Sequence, residues 1–352
     1  GQHQGGRKAW CVAFVLLGQC VAGRAQFLYT TNSPNTTTIT ITGYTGAGGA
    51  VSIPATIGGR TVTAIGGMAF TNASSITRLT IPTGVVSIGI GAFQRCSGLT
   101  NVVFPSSLTS IDNAAFNLCE SLPNVVVPAS VTNLGEGPFA QCANLTNISV
   151  AAGNPAFRDI DGVLFDLPQT RLIQCPGARS GTYVVPDGVG RIETTAFSRC
   201  NNLTNIAIPD GVTDIGTAAF SSCLGLTTLL FPACTTNLGP WALSYCVNLA
   251  DIYFCGNAPN ADSNLLTNFN QAVIWHLPGT TGWPTAPAPW RNRPTAVWLP
   301  KVLAMAGNAL GDRSEITVTW AAGQTAVAET CSHLIDPEWI PAQTGVFSES
   351  TA

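Results

Sequence analysis

Charge is what this chain has least of. Only 9% of its 352 residues are charged, and the formal net charge is -3. No cluster of Lys and Arg occurs. A nucleic-acid binder needs a basic footprint, so nucleic acid is excluded as a partner. Long apolar runs are missing as well: none reaches the roughly 18 residues a membrane-crossing helix needs, so no transmembrane span is expected in the mature chain. Histidine is confined to His3, His276 and His333, and no Cys-x-x-Cys pair occurs, which removes the usual zinc patterns. A Ser-His-Asp or Cys-His system would have to use His276 or His333, and neither has a motif around it. Asp159, Asp161 and Asp166 lie close together, but their spacing matches no calcium loop and Asp is common in turns. No catalytic, cofactor-binding or metal-ligating residue emerges, and no cofactor is implied.

What is abundant is apolar and turn-forming. Hydrophobic residues make up 45% of the chain, with 36 Gly, 23 Pro and 12 Cys. Such a composition suits a secreted β-rich protein better than a cytosolic enzyme. The N-terminus agrees. Arg7 and Lys8 precede an apolar stretch from Ala9 to Leu17, and Gly23-Arg24-Ala25 supplies small residues for cleavage. Residues 1–25 therefore read as a signal peptide cut after Ala25. A lipid anchor at Cys20 is disfavoured, because Gln19 stands where a small residue is needed.

Most of the chain is one unit, repeated. Its anchor is a proline at Pro82, Pro105, Pro128, Pro186, Pro209 and Pro232, with Ala151 and Cys255 holding equivalent places. The steps are 23 residues except for one of 35, from Ala151 to Pro186, and Pro54 begins the series 28 residues before Pro82. A period between about 20 and 50 marks a solenoid or propeller, and a 23-residue unit is too short for a blade. Apolar residues stand three and one before the anchor, as in Ile206 and Ile208, and read as the buried face of a short strand. Further apolar residues follow at plus three and plus six, as in Val212 and Ile215. Then comes an Ala-Phe pair (Ala92-Phe93, Ala115-Phe116, Ala196-Phe197, Ala219-Phe220), and Cys at plus fourteen: Cys96, Cys119, Cys142, Cys200, Cys223 and Cys246. One coil cannot bury these side chains, whereas stacked coils can, as ladders down a shared core. Nine coils at a strand spacing of about 4.8 Å would give a rod about 43 Å long.

The Cys ladder reads as small apolar core side chains, and Ala73 fills the same place in the first coil. Disulfides between adjacent coils are within reach by strand spacing but disfavoured by parallel Cβ vectors. Cys175, Cys234, Cys255 and Cys331 are off the ladder.

The consensus L-T-x-I-x-I-P-x-x-V-T-x-I-G-x-x-A-F-x-x-C, over about residues 51–256, resembles the BspA-type leucine-rich repeat of bacterial and some protist cell surfaces. The resemblance implies a parallel β-solenoid that binds or adheres outside the cell and has no catalytic residues to transfer. The 35-residue step, with Asn154-Pro155-Ala156-Phe157, Asp161-Gly162-Val163-Leu164-Phe165 and Cys175-Pro176, resembles the family's longer inserted module, and its turn residues suggest an extra hairpin on one side.

The expected organisation is a signal peptide at 1–25, a capping strand or hairpin at 26–50, repeats at 51–256 with the inserted coil at about 151–185, a Pro/Trp-rich C-terminal cap at 257–300, and a β-sandwich-like module at 301–352 that reads as cut short. Positions four and two before the anchor point away from the core. They place Asn101, Val103, Asn124, Val126, Asn147, Asn205, Leu230 and Tyr253 on the outer strand face. Two readings compete for that row: an Asn ladder bonded between coils, and a binding surface, since the row is more apolar than a solvated face should be. The functional expectation is an exported, non-enzymatic binding or adhesion protein that offers this surface to a protein or glycan. The alternatives are a structural envelope or spacer protein, and a secreted enzyme whose catalytic module lies beyond residue 352. Oligomeric state is not legible.

Overall fold

The computed structural model describes residues 27–266, 271–285 and 288–298 in full, together with the backbone of strands Gly307–Leu310, Arg313–Thr319 and Thr325–Glu329. The expected signal peptide, Cys20, His3, Cys331 and His333 lie outside the described residues.

The chain winds as a parallel β-solenoid of about eleven turns and about 23 residues per coil. Each regular coil carries two strands. The longer precedes the anchor: Gly49–Ser52, Ile76–Thr80, Asn101–Val103, Asn124–Val127 and Asn147–Val150, then Ser180–Val184, Asn202–Ala207, Thr228–Phe231, Asp251–Phe254, Val273–His276 and Thr295–Val297. They pair in parallel within four groups, broken after Asn101–Val103, at the insert and after Asn202–Ala207, so that Asn124 faces Asn147 and Thr228 faces Asp251. The shorter strand is two residues long in most coils, as in Ser87–Ile88, Ser110–Ile111, Asp214–Ile215 and Asn237–Leu238, and forms a second parallel ladder. A third side of the coil is made of turns.

The last two long strands extend the solenoid past Gly256, where the sequence pattern appeared to stop. Val273–His276 pairs with Asp251–Phe254, and Thr295–Val297 pairs with Val273–His276. The proline and Ala-Phe signals are gone there, but in-register apolar packing persists: Ile252 and Ile274 are both fully buried. At the other end, Phe27–Thr31 and Thr38–Tyr44 form an antiparallel hairpin whose second strand joins the short-strand ladder beside Arg60–Ile65. Ile39 and Ile41 are fully buried by it. Farther on, Gly307–Leu310, Arg313–Thr319 and Thr325–Glu329 make a three-stranded antiparallel sheet.

The core is built of columns. Phe70, Phe93, Phe116 and Phe139 stack with ring centroids 4.8, 5.0 and 5.7 Å apart. Phe197 and Phe220 continue the stack after the insert, 5.3 Å apart. Two residues flanking each Ala-Phe pair take left-handed backbone. They are Arg95, Ala114, Leu118, Thr195, Arg199, Ala218, Ser222, Trp241 and Tyr245 among others, with φ between 52° and 62° in these. Each turn side is thereby folded tightly enough to aim both the Phe and the Cys inward.

The insert is a partition rather than a hairpin on one side. Phe157–Ile160 and Val163–Asp166 are antiparallel, joined through Asp161-Gly162, both at positive φ, the two-residue turn that suits a hairpin's twist. Val163–Asp166 then pairs with Arg171–Gln174, which begins the second run of short strands. Both faces of the middle strand are buried. Leu164 packs into the N-terminal core with Phe157 and Ile173, while Val163 and Phe165 pack into the C-terminal core with Leu172. The solenoid thus has two cores, divided by this strand. The reason is the pattern itself: four consecutive buried residues in Val163–Asp166 cannot lie on one exposed side.

Candidate binding surfaces

The outer face of the long strands carries the expected columns. Val103, Val126 and Val184 are 50%, 53% and 52% exposed, and Asn101 and Asn124 are exposed beside them. Asn101, Val103, Asn124 and Val126 line a shallow groove of about 600 Å3 with Phe104, Ser106 and Pro128. Among the described residues no hydrogen bond joins the carboxamides of Asn101, Asn124, Asn147 and Asn205, so the bonded Asn ladder is not formed. Cross-coil bonding is carried instead by Thr side chains: Thr100 and Thr146 donate to the carbonyls of Thr77 and Pro123, each at 2.8 Å. The Asn amides on this face are left for solvent or a ligand.

The structure does not treat the other expected residues alike. Asn147 is half-buried, and its carboxamide lies where a Cβ on Gly162 would sit, so the insert turn crowds it. Asn205 and Leu230 are half-buried. Tyr253 is corrected. It keeps the outward register, opposite Leu230 and Trp275, but only 6% of it is exposed. The Trp298 ring covers it at 4.9 Å and Trp275 stacks beside it at 6.2 Å. Burial pushes its hydroxyl above the usual tyrosine range, and the Asp251 charge adds to this. The expected face therefore contracts to the N-terminal half, with Val184 as an outlier.

A second groove, of about 510 Å3, was not legible in the sequence. It lies over the short strands, and its lining includes Asp214, Asn237, Asn260 and Asp262 together with Glu136 and Arg191. Two-residue strands have no periodicity to read. The available signal was the polar residue between the plus-three and plus-six apolar positions, as Asp214 stands between Val212 and Ile215.

The remaining candidates for chemistry are structural. Asp159 accepts from the Val150 amide at 2.8 Å, and Asp166 accepts from the Arg171 amide at 2.8 Å and the Thr170 hydroxyl at 2.7 Å. Asp161 sits in the hairpin turn. His276 stacks flat on Trp283 with centroids 5.0 Å apart in the C-terminal cap, where Trp283 and Trp290 close over Phe254. The nine described cysteines are free thiols. In the ladder each sulfur donates to a carbonyl of the previous coil: Cys96 to Phe70 at 3.2 Å, Cys119 to Phe93 at 3.3 Å, Cys223 to Phe197 and Cys246 to Phe220 at 3.0 Å. Burial pushes the Cys96 thiol up to about 12 and Cys246 up to about 11. Such thiols are unreactive at neutral pH. Cys175, off the ladder, takes the backbone place of a Phe: its amide donates to Ala196 as that of Phe197 donates to Ala219.

Comparison with known proteins fits this geometry. The model of the BspA type leucine rich repeat region matches residues 53–165 and 180–278 in six copies. The chain belongs to the BspA-type leucine-rich-repeat family. The match leaves out residues 166–179 at the insert and runs beyond Gly256 to include the strand Val273–His276. Among solved structures, a leucine-rich repeat protein from Eubacterium ventriosum ATCC 27560 is similar at 23% identity and a TM-score of 0.54, covering 73% of this chain and 77% of that one. The pneumococcal vaccine antigen PcpA is similar at 20% identity and a TM-score of 0.52, covering 73% and 87%. These two likenesses show the shared solenoid. No curated protein matches the chain. BspA-type repeat proteins are typically non-enzymatic and are found on bacterial surfaces. Among the described residues, no helix is long and apolar enough to cross a membrane.

Proposed function

We propose that this BspA-type protein is exported and acts without catalysis, displaying its solenoid outside the cell to hold a protein or glycan partner. The contact surface is the outer face of the long strands around Asn101, Val103, Asn124 and Val126. The observation that supports this most is the pair of valines, both half-exposed on adjacent rungs beside carboxamides that make no bond between coils. An apolar row on a soluble surface costs solubility and often marks an interaction site. Stacked coils also hold equivalent side chains at a fixed offset, so the ligand meets a preorganised surface and little ordering entropy is lost on binding. The test has two arms. Protease treatment of intact expressing cells should release the solenoid. Arrays of extracellular matrix proteins and glycans should show a partner for the wild type that the Val103→Lys/Val126→Lys double variant no longer retains. A solenoid protected inside the cell, or equal retention of every partner by the variant, contradicts the proposal.

A further inference from the structure

We propose that the groove over the short strands is a separate binding site for an uncharged sugar chain, with the Trp241 ring as its stacking platform. It lies on a different face from the surface above and does not depend on it.

The groove's chemistry points to hydroxyl groups. Asp214, Asn237 and Asn260 occupy one outward column on three successive rungs. Asp214 is held in place: the Asn237 amide donates to one of its oxygens at 3.0 Å and the Thr213 hydroxyl to the other at 2.7 Å. A carboxylate oxygen has more than one acceptor site, so Asp214 can still accept from a ligand hydroxyl. Glu136, Asp214 and Asp262 outnumber the single cation Arg191 along the lining, which disfavours sulfated, sialylated or phosphate-bearing ligands. The lining is polar, so an apolar protein segment would leave these groups without partners.

Trp241 supplies the apolar half. It stands outside the lining itself, next in the chain to the lining residue Pro240, and is 47% exposed. It occupies the first left-handed place of its coil, at φ 57°. Equivalent places elsewhere hold Met68, Gly91, Ala114, Gly137, Thr195 and Ala218, and of these seven residues Trp241 alone is aromatic. A bulky residue at positive φ is costly, and an exposed one returns nothing to the core. Tyr245 repeats this at the coil's other left-handed place, at φ 62° and 50% exposed. No charged residue occurs between Asp214 and Asp251. An aromatic face is electronegative and attracts the weakly positive C–H face of a pyranose, while the sugar's hydroxyl edge meets the carboxylate and amides.

Calorimetric titration of the full chain with cellohexaose, mannohexaose and chitohexaose, and with heparin as the anionic probe, tests this. At least one neutral hexasaccharide should bind with a Kd of about 1 mM or tighter. Trp241→Ala should weaken it about tenfold or more and Trp241→Phe much less. Ala at this place matches Ala218 in the preceding coil, so the fold tolerates it. No binding by any neutral hexasaccharide at about 10 mM, preference for heparin, or undiminished binding by Trp241→Ala would overturn the proposal. A protein partner lost on Trp241→Ala with no sugar bound would equally assign the site to protein and overturn it.

Discussion

A single cysteine shows how the repeat works at the scale of one residue. Cys223 is fully buried, and its thiol donates to the carbonyl of Phe197 in the preceding coil at 3.0 Å. The sequence marked such cysteines as small core side chains, because Ala73 fills the same place in the first coil. It did not show the bond, which depends on how one coil is offset on the next. Cys223→Ala should therefore destabilise by about 1–2 kcal/mol, measured by urea unfolding, because it removes a buried atom and one weak bond without unfolding the chain. The thiols also set an alkaline limit. The folded values for Cys96 and Cys246 are raised from 9.0 to about 12 and about 11, so the folded state holds these protons more tightly. That stability is complete below about pH 9 and is lost as pH rises toward 11–12, at up to about 1.4 kcal/mol per pH unit for each thiol. The thermal midpoint should fall between pH 9 and 11, and Cys96→Ala should reduce the slope.

Strands and turns were unequally legible. The alternation before each anchor placed Val103 and Val126 outward, and it set the register of Tyr253 as well. The cover over Tyr253 comes from Trp298, in a segment with no repeat, so alternation could not announce it. The second ladder was missed because two residues carry no period. The turns yield a pair of opposed predictions. Gly216 lies where an added Cβ would come within 2.4 Å of the Thr194 amide, so Gly216→Ala should destabilise by about 2 kcal/mol or more. Two residues on, Ala218 is at φ 52°, where a side chain is strained. Ala218→Gly should leave stability unchanged or raise it by about 0.5 kcal/mol, since relief of strain offsets the added backbone entropy. Denaturant midpoints of the two variants check both signs.

Across the whole molecule, the partition through Val163–Asp166 divides stability into two blocks. In a solenoid, stability is a sum of coils and nearest-neighbour interfaces, so damage should stay on its own side. Phe93→Ala, in the N-terminal core, should lower hydrogen-exchange protection across residues 39–150 while residues 185–274 keep most of theirs. Equal loss on both sides would mean that the partition transmits strain rather than dividing it. The insert's signature was readable in Asp161-Gly162 and in the run from Val163 to Phe165. Its place between two cores was not, because a buried strand reads the same whether one core or two lie against it. The same long-range order lines up valines from separate coils into one outer surface, and the central claim is that this surface binds. The most direct measurement is the affinity of a partner captured by the wild-type protein for Val126→Lys, measured beside Thr236→Lys on another face as a charge control. A rise in Kd of about tenfold or more for Val126→Lys, with Thr236→Lys unchanged, is the result expected. Equal affinity for the wild type and Val126→Lys would contradict it.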